Sequence, residues 1–424
     1  MFEKYRRSIL NLDLLAKPAN IVLRGATLAS KFMLLFVLAK YLEPSLVGLY
    51  GLIVVTVAYG MYPLGFEFYT YSTREVIKAN VDIKGQYLKS QIAFHLWLYC
   101  LVAPIFILVF YYELLPWYVA PWFFVLLITE HANQELMRML IAIRKPIIAT
   151  LVLFLRHGFW ALIVALLFIF VPEFRSLEVV LIAWSISGVF SFFIAMQQTR
   201  SAITCGWNLP IDWSWVRRGI KIALPMFLGT MSLNFIATID RYWFESLVSA
   251  DALGAYVFYM AITAAAVSFI DAGVFAFIYP AMVSAASQRD KVTFNLLLKK
   301  MFYQALSLAV FFAVLIFIFV DYLLLLISKP IYFEMKGILY PLLGMMIVQV
   351  VSYVPNYALY TQNSDRAIIL SNVLSSVVFI FCVSGLVYWN EILAIPVALI
   401  VVYLFLLAYK YNAYCRLSKS QVWC

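Results

Sequence analysis

Twelve long apolar segments alternate with short connections along this chain, and this pattern constrains its fold more than any other feature. Runs of about 20 apolar residues are long enough to cross a bilayer as helices. Lipid offers the backbone no hydrogen bonds, so only helices and closed barrels can span it. The segments are too long for barrel strands and lack strand alternation, so the sequence predicts an all-α polytopic membrane protein. The predicted spans are 19–40, 46–69, 88–111, 115–141, 146–170, 177–199, 218–243, 252–281, 299–327, 338–361, 366–388 and 391–411.

The amino-acid composition excludes an ordinary soluble protein. The chain is 65% hydrophobic and 12% charged, whereas soluble domains contain about 25% charged residues. Its net charge of +10 would indicate nucleic-acid binding in a soluble protein. In a membrane protein, the same excess is typical of loops held on the cytoplasmic side. We therefore expect no nucleic-acid partner.

Lysine and arginine are concentrated in every second connection between the spans. Cytoplasmic loops carry this excess of positive charge, so the sequence predicts that both termini lie in the cytoplasm. The connections on the other side are short, and Glu113–Pro116 is nearly the whole turn between the third and fourth spans. A protein with such short outer loops lacks room for an external catalytic domain.

The chain contains an internal duplication. Leu46–Tyr50 opens the second span and Ala252–Tyr256 opens the eighth, at an offset of 206 residues. Six spans separate the two copies, so the two halves are expected to share one orientation, as parallel repeats do in transporters. We predict an N-terminal six-helix lobe over 1–203, a cytoplasmic linker over 204–216 and a C-terminal six-helix lobe over 217–424.

Several segments also resemble a known family of membrane proteins. They are Leu38–Tyr50, Gly65–Phe68 followed by Thr73–Val76, Ile239–Phe244 followed by Ala252–Tyr256, and Phe277–Met282. Together with the length and the twelve spans, these segments are similar to the Wzx-type O-antigen and oligosaccharide-lipid flippases. That family belongs to the multidrug/oligosaccharidyl-lipid/polysaccharide exporter superfamily.

The resemblance implies a specific transport function. It implies alternating access for an undecaprenyl-diphosphate-linked sugar, carried between the leaflets of a bacterial inner membrane. It also implies an O-antigen polymerase and a chain-length regulator as partners, besides membrane lipid. The chain has no ATP-binding motif, so we expect no cofactor and no enzymatic activity. The driving force would be an H⁺ or Na⁺ gradient, the substrate gradient or downstream consumption.

Three other functions compete with this interpretation. A multidrug cation exporter of the same superfamily should line its cavity with acidic residues. A membrane-embedded glycosyltransferase or polymerase should have a long outer loop with catalytic residues. A scaffold for assembly enzymes would need neither feature. No metal-binding or phosphate-loop motif occurs in the sequence, so we predict no metal site and no catalytic residues.

Ionisable residues inside the spans are the candidate site residues, because their insertion is costly unless they face a cavity or a partner. Arg24 and Lys31 are seven residues apart, nearly two helical turns, so they share one face of the first span with Thr27. Such a face suits a diphosphate. The alternative for Arg24 is an ion pair with Glu67, whereas Lys31 has no acid near it in the first hairpin.

The fourth and fifth spans contain a second candidate cluster. Folding their hairpin about Ile143 places Arg156 and His157 near Glu130 and His131. The cluster is then either a structural ion pair between Arg156 and Glu130 or a polar wall of the substrate cavity.

The second half of the chain contributes three further charges. Asp240 and Arg241 lie near the outer end of the seventh span, and as neighbours on a helix they are expected to face different ways. Arg241 either meets the diphosphate or extends to the membrane interface. Asp271 lies deep in the eighth span, near the position equivalent to Glu67. These acids are candidates for H⁺ or Na⁺ coupling, or they balance the charge of basic residues.

Tyr59 and Tyr62 recur at helical spacing on the second span, together with Phe66 and Tyr69. Their rings are candidates for stacking on sugars. Packing between helices is the alternative role for such an aromatic stripe.

Overall fold

The structure is a computed structural model that describes residues 2–420, with side chains for residue 20 and residues 22–418. The side chains at the two ends of the chain, whose cytoplasmic location is a prediction, lie outside the described residues. Every regular element in the described range is helical. The helices are α1 (Phe2–Tyr41), α2 (Pro44–Gly65), α3 (Tyr69–Lys78), α4 (Val81–Tyr111), α5 (Ala120–Ala142), α6 (Pro146–Phe170), α7 (Leu177–Ala202), α8 (Trp213–Leu247), α9 (Ala250–Ser287), α10 (Lys291–Ile327), α11 (Pro330–Thr361), α12 (Asp365–Leu386) and α13 (Glu391–Ser420).

The helix lengths confirm the predicted class, an all-α polytopic membrane protein. Within the described residues, 11 helices are long and apolar enough to cross a membrane. The remaining predicted span corresponds to α5, which has 23 residues but carries Glu130, His131, Glu135 and Arg138. These polar side chains account for its absence from the 11 helices.

Helix boundaries differ from the prediction where the backbone turns sharply. The second span was expected to reach residue 69, but α2 ends at Gly65 because Phe66 and Glu67 have left-handed φ angles of 52° and 53°. Residues other than glycine seldom adopt this conformation. The ninth span was expected from residue 299, whereas α10 starts at Lys291, where a carboxylate oxygen of Asp290 caps the helix.

The described residues form two compact units. The first contains residues up to Leu38 and Thr56–Phe227, and the second contains Ala39–Val55 and residues from Leu228 onward. Each unit therefore takes chain from both sides of the duplication. The lobe boundaries at 203 and 217 stay predictions.

The predicted linker packs against the start of α4 in the first unit. The backbone N–H of Gly85 donates to the carbonyl oxygen of Cys205 at 3.0 Å, and Lys89 donates to that of Trp207 at 3.1 Å. Trp215 is fully buried, and its ring stacks on Tyr87 with the ring centres 4.8 Å apart. The connection is therefore a docked segment with defined contacts.

The second unit contains a close crossing between the starts of α2 and α9. A Cβ atom added to Gly48 would lie 3.2 Å from the backbone nitrogen of Gly254. One added to Gly254 would lie 2.1 Å from the carbonyl oxygen of Pro44. Small residues allow such an approach of two helix backbones in a membrane.

Candidate functional site

A buried ion pair joins α5 to α6 in the first unit. The Arg156 guanidinium contacts the Glu130 carboxylate, and each side chain is 3% exposed. Arg156 lies in a π-helical turn, Leu155–Phe159, which interrupts α6. The ion pair that the hairpin geometry predicted between these two residues is confirmed.

Other side chains hold the Glu130 carboxylate in place. The indole N–H of Trp184 donates to it at 2.7 Å, and the Nε2 atom of His157 lies 3.8 Å from it. The rings of Trp160 and Trp184 stack with their centres 5.7 Å apart. Removing charges from water is costly unless they are paired and hydrogen-bonded, and these contacts meet that requirement.

Lys31 lies near this ion pair, and its side chain is exposed within the structure. Helix α1 packs directly on the π-helical turn, because a Cβ atom on Gly158 would lie 3.0 Å from the Cα atom of Thr27. The Lys31 ammonium is within electrostatic range of Glu130, Arg156 and His157. The sequence predicted no acid near Lys31 within the first hairpin, and it did not anticipate Glu130. The acid comes from α5, which the first hairpin does not contain.

Arg24 is also exposed, on the same helix as Lys31. Glu67 lies buried in the left-handed turn after α2, and the ion pair between Arg24 and Glu67 stays a prediction. That turn redirects the chain, so the depth expected from a straight hairpin does not apply to Glu67. Arg24 remains a candidate for binding an anion.

The predicted aromatic residues of α2 are half-buried. Tyr62 lines a small cavity of about 10 Å³ with Glu67 and His131. Tyr59 lies three residues earlier and is also half-buried. A role for these rings in stacking on sugars stays a prediction.

Asp240 and Arg241 form a second site, in α8 of the second unit. A guanidinium nitrogen of Arg241 lies 2.9 Å from an Asp240 carboxylate oxygen and also donates to the carbonyl oxygen of Ala237. The expectation that these neighbours face apart is wrong. The long arginine side chain folds back along its own helix and reaches the carboxylate.

The Asp240 carboxylate is fully buried and accepts a further hydrogen bond of 2.8 Å from the hydroxyl of Tyr256. Beside it lies a cavity of about 250 Å³. Its polar lining residues are Asp240, Arg241, Thr263, Ser268, Gln349 and Tyr403. The cavity has space for several water molecules or a small polar group.

Asp271 begins a second π-helical turn, Asp271–Phe275, which interrupts α9. Its carboxylate accepts a hydrogen bond of 3.2 Å from the hydroxyl of Tyr357. No basic side chain forms an ion pair with Asp271 in the part of the chain that the structure describes. Such π-helical turns are frequent at functional sites. A coupling role for Asp271 stays a prediction.

Sequence reasoning missed several site residues. Trp184 and Tyr256 hold the buried acids Glu130 and Asp240, but they lie in apolar segments where aromatic residues are common. The sequence did not indicate that these two residues hydrogen-bond to the acids, because the partner of a buried Trp or Tyr is set by how the helices pack. Within the described residues, no group of three or more His, Cys, Asp or Glu side chains is placed to hold a metal.

No protein-family profile and no curated protein matches this sequence. Solved structures do match its fold. An inward-facing multidrug resistance MATE family transporter of the MOP superfamily aligns with a TM-score of 0.77 at 11% identity, covering 95% of this chain and 100% of that one. An outward-facing transporter of that family aligns with a TM-score of 0.61 at 14% identity, covering 96% and 97%.

A third structure is a MOP superfamily transporter from Pyrococcus furiosus. It aligns with a TM-score of 0.59 at 13% identity, covering 96% of this chain and 95% of that one. It is described as having a binding pocket of reverse polarity, which suggests a different function. These alignments show that the chain has the fold of the MATE transporters. At these identities the likeness concerns the fold alone.

Proposed function

We propose that this protein is a flippase that moves an undecaprenyl-diphosphate-linked oligosaccharide from the cytoplasmic to the periplasmic leaflet by alternating access. The fold supports transport, because matching structures are transporters in inward-facing and outward-facing states. The substrate class is argued from the charges inside the spans and from the family resemblance of the sequence.

The proposal rests on a difference between the basic and the acidic residues inside the spans. Two basic side chains of α1 are exposed, whereas four acids contact other side chains. Lys31 and Arg24 are exposed on α1. Four acids within the spans contact other side chains. Glu130 contacts Arg156 and Trp184, Glu135 contacts Arg138 and Gln91, Asp240 contacts Arg241 and Tyr256, and Asp271 contacts Tyr357. Lys31 and Arg24 would therefore be able to bind an anionic ligand.

This arrangement addresses the main physical barrier to flipping. A diphosphate and a glycan lose their water when they enter hydrocarbon, and that loss is costly without replacement partners. Lys31 and Arg24 would supply charge-assisted hydrogen bonds to the phosphate oxygens. The Arg156–Glu130 pair interacts electrostatically with Lys31, and its two charges neutralise each other and so would not compete for the substrate. Tyr59 and Tyr62 would contact the sugar, and Arg241 stays a candidate contact for the diphosphate.

The test is transport by charge-reversed and charge-removed variants. Purified protein is reconstituted in liposomes with a fluorescent undecaprenyl-diphosphate glycan, and its appearance in the opposite leaflet is measured. Lys31→Ala and Arg24→Ala are expected to reduce flipping by at least about tenfold, because each removes a charge that pairs with phosphate at about 1.5–3 kcal/mol. Lys31→Glu should have the larger effect.

A matched control is Lys78→Ala, which removes an exposed lysine from α3, outside the spans. It should flip the lipid at the wild-type rate. Normal flipping by both Lys31→Ala and Arg24→Ala would contradict the proposal. Uptake or export of cationic dyes without any lipid flipping would support the rival multidrug exporter, a function named for two of the matching structures.

A further inference from the structure

The second unit contains a strip of polar and aromatic side chains that takes no part in the substrate contacts proposed above. Helices α9 and α11 pack against each other in this unit. Side chains three or four residues apart share one face of a helix. The strip consists of Gln349, Tyr353, Tyr357 and Tyr360 on α11, with Asp271 and Tyr279 on α9. From Gln349 to Tyr360 it extends roughly 16 Å along the helix axis.

Direct contacts join the members of the strip on α11. The side-chain amide of Gln349 donates to the hydroxyl of Tyr353 at 3.0 Å. The Tyr353 ring meets the buried ring of Phe275 edge to face, with the ring centres 5.8 Å apart. The Tyr357 ring stacks on the same Phe275, with the ring centres 5.2 Å apart. The two tyrosine rings therefore form a row that is supported from beneath by Phe275.

The other end of the strip combines an acid with three tyrosine rings. The Tyr357 hydroxyl donates to the exposed Asp271 carboxylate at 3.2 Å. The Tyr279 ring centre lies 5.3 Å from that of Tyr357 and 6.1 Å from that of Tyr360, which is 41% exposed. A Cβ atom at Gly273 would meet no atom within 4 Å, so the surface beside Asp271 is open. A ligand can therefore reach both the acid and the rings.

At its first end the strip continues into the cavity of about 250 Å³, because Gln349 also lines that cavity. The Asp240–Arg241 ion pair there has no net charge, and Thr263, Gln349 and Tyr403 are neutral. The volume lies just below the roughly 300 Å³ at which pockets for drug-sized ligands begin. The cavity therefore suits one small, uncharged polar group.

The side chains of the strip and the cavity match the chemistry of a sugar chain. A sugar hydroxyl both donates and accepts hydrogen bonds, and it meets acceptors in the carboxylates and donors in the guanidinium and the amide. The C–H bonds on one face of a sugar ring pack on the negative face of an aromatic ring. An organic cation would also bind rings beside an acid, but the neutral cavity would not attract it. The whole arrangement therefore favours a sugar chain.

We propose that the glycan of the lipid-linked substrate binds along this strip, with one sugar residue in the cavity and its neighbours against the tyrosine rings. This inference rests on the flippase function proposed above, and it adds a site for the sugar chain in the second unit. Asp271 accepts hydrogen bonds from sugar hydroxyls at one end, and Gln349 donates to them at the other. The strip is longer than one sugar ring, so it recognises an oligosaccharide.

The first experiment measures binding to full-length protein in detergent. Its two probes are undecaprenyl diphosphate that carries a trisaccharide, the trisaccharide lipid, and undecaprenyl diphosphate alone, the sugar-free lipid. Each probe has a fluorophore on its lipid tail. Wild type should bind the trisaccharide lipid more tightly. Tyr360→Ala should weaken that binding about fivefold, the contribution of one ring contact, and leave the sugar-free lipid unaffected. Tyr360→Phe keeps the ring and should bind both probes as wild type does.

A second variant tests the cavity end, and a matched control tests the location. Gln349→Leu removes the amide at similar volume and should weaken only the trisaccharide lipid. Tyr303→Ala removes an exposed ring from α10, outside the strip, and should bind both probes normally. Equal binding of the two probes by wild type would overturn the proposal. So would a loss in Tyr360→Ala that is the same for both probes.

An organic cation is the rival ligand of the strip, and ethidium is the probe for it. Asp271→Asn should weaken the trisaccharide lipid, because an amide is a weaker acceptor than a carboxylate, and should leave any ethidium binding unchanged. Loss of ethidium binding in Asp271→Asn with normal binding of the trisaccharide lipid would assign the strip to cations and contradict the proposal.

Transport in proteoliposomes separates this inference from the flippase function. Tyr360→Ala and Gln349→Leu should slow the flipping of the trisaccharide lipid and leave the sugar-free lipid at the wild-type rate. Wild-type flipping and binding of the trisaccharide lipid by both variants would remove the strip and leave the flippase function intact. Binding that depends on Tyr360, in a protein that flips neither lipid, would remove the flippase function and leave the sugar site.

Discussion

The backbone N–H of Ser45 donates a hydrogen bond of 3.1 Å to a carboxylate oxygen of Asp251, and the two residues are 206 positions apart. This separation equals the offset between the repeated segments, so equivalent positions of the duplication contact each other. Gly48 and Gly254, the next equivalent pair, bring the starts of α2 and α9 together. The duplicated motif therefore forms a contact with its own copy.

Gly254→Ala should disrupt this helix crossing. The added methyl group would lie 2.1 Å from the carbonyl oxygen of Pro44, and a backbone atom cannot move aside cheaply. Overpacking of this kind costs about 1–3 kcal/mol. The thermal unfolding temperature in detergent should fall accordingly. The matched control is Gly344→Ala, whose methyl group would only touch Ile400 at 3.6 Å. Equal stability of the two variants would contradict the tight crossing.

Glu130→Gln should be strongly destabilising. It leaves the buried Arg156 guanidinium without its counter-charge, and breaking one partner of a buried pair costs about 3–5 kcal/mol. The double variant Glu130→Leu with Arg156→Met removes both charges and should recover much of this loss. Thermal unfolding of the single and double variants gives the coupling between the two sites. Additive losses would show that the pair is not coupled.

Tyr256→Phe should lower the stability of the protein, because it removes a hydrogen bond to the buried Asp240 carboxylate. It removes the hydroxyl that donates to Asp240 at 2.8 Å inside a fully buried environment. Hydrogen bonds to charged groups contribute about 1.5–3 kcal/mol. Chemical unfolding should show a loss of this size, while Tyr303→Phe, which alters an exposed ring, should have no effect. Wild-type stability of Tyr256→Phe would mean that Arg241 alone satisfies Asp240.

Asp212 should stabilise the start of α8 in a pH-dependent way. The Ser214 hydroxyl and the Trp215 backbone N–H donate to its carboxylate and hold its pKa below the ordinary value. A lowered pKa in the folded state means that the stabilisation is present above about pH 4 and is lost as the pH falls through the folded-state pKa. Asp212→Ala should cost about 1 kcal/mol near neutral pH.

The control for this prediction is Asp212→Asn, which keeps a capping oxygen but cannot titrate. Its thermal unfolding temperature at neutral pH should lie between those of Asp212→Ala and wild type, because the amide keeps the cap but lacks the charge. The difference between wild type and Asp212→Asn should shrink on acidification. A difference that grows toward low pH would contradict the assigned cap.

Contacts within one hairpin could be predicted from the sequence. Arg156 and Glu130 lie at equal distances from the turn at Ile143, and antiparallel neighbours joined by a short loop place such residues at the same depth. The class of the protein could also be predicted from the sequence, because the thickness of the bilayer sets the length of each apolar segment. Both inferences need only local geometry.

Contacts between helices far apart in the sequence could not be predicted. Lys31 interacts electrostatically with Glu130 because α1 packs on the π-helical turn of α6. Neither of these two segments contains a sequence pattern that specifies this packing. The same holds for His131, whose partner Tyr99 lies on α4. The contact between Arg241 and Asp240 was not predicted for a different reason. Helix geometry places the two residues on different faces, but the flexible arginine side chain folds back and reaches the carboxylate.

The sequence by itself determined that the chain is a bundle of membrane-spanning helices with an internal duplication. Hydrophobic length and repeated motifs are properties of the chain that packing does not alter. The tertiary structure decided which charges are available and which are neutralised, since a buried acid takes its partner from whichever helix lies beside it. Lys31 and Arg24 remained exposed, whereas Glu130 contacts Arg156 and Trp184 from two other helices, and Asp240 contacts its neighbour Arg241 and Tyr256 from the next helix. The chemistry of the site therefore depends on which helices pack together, and the sequence alone does not specify that packing.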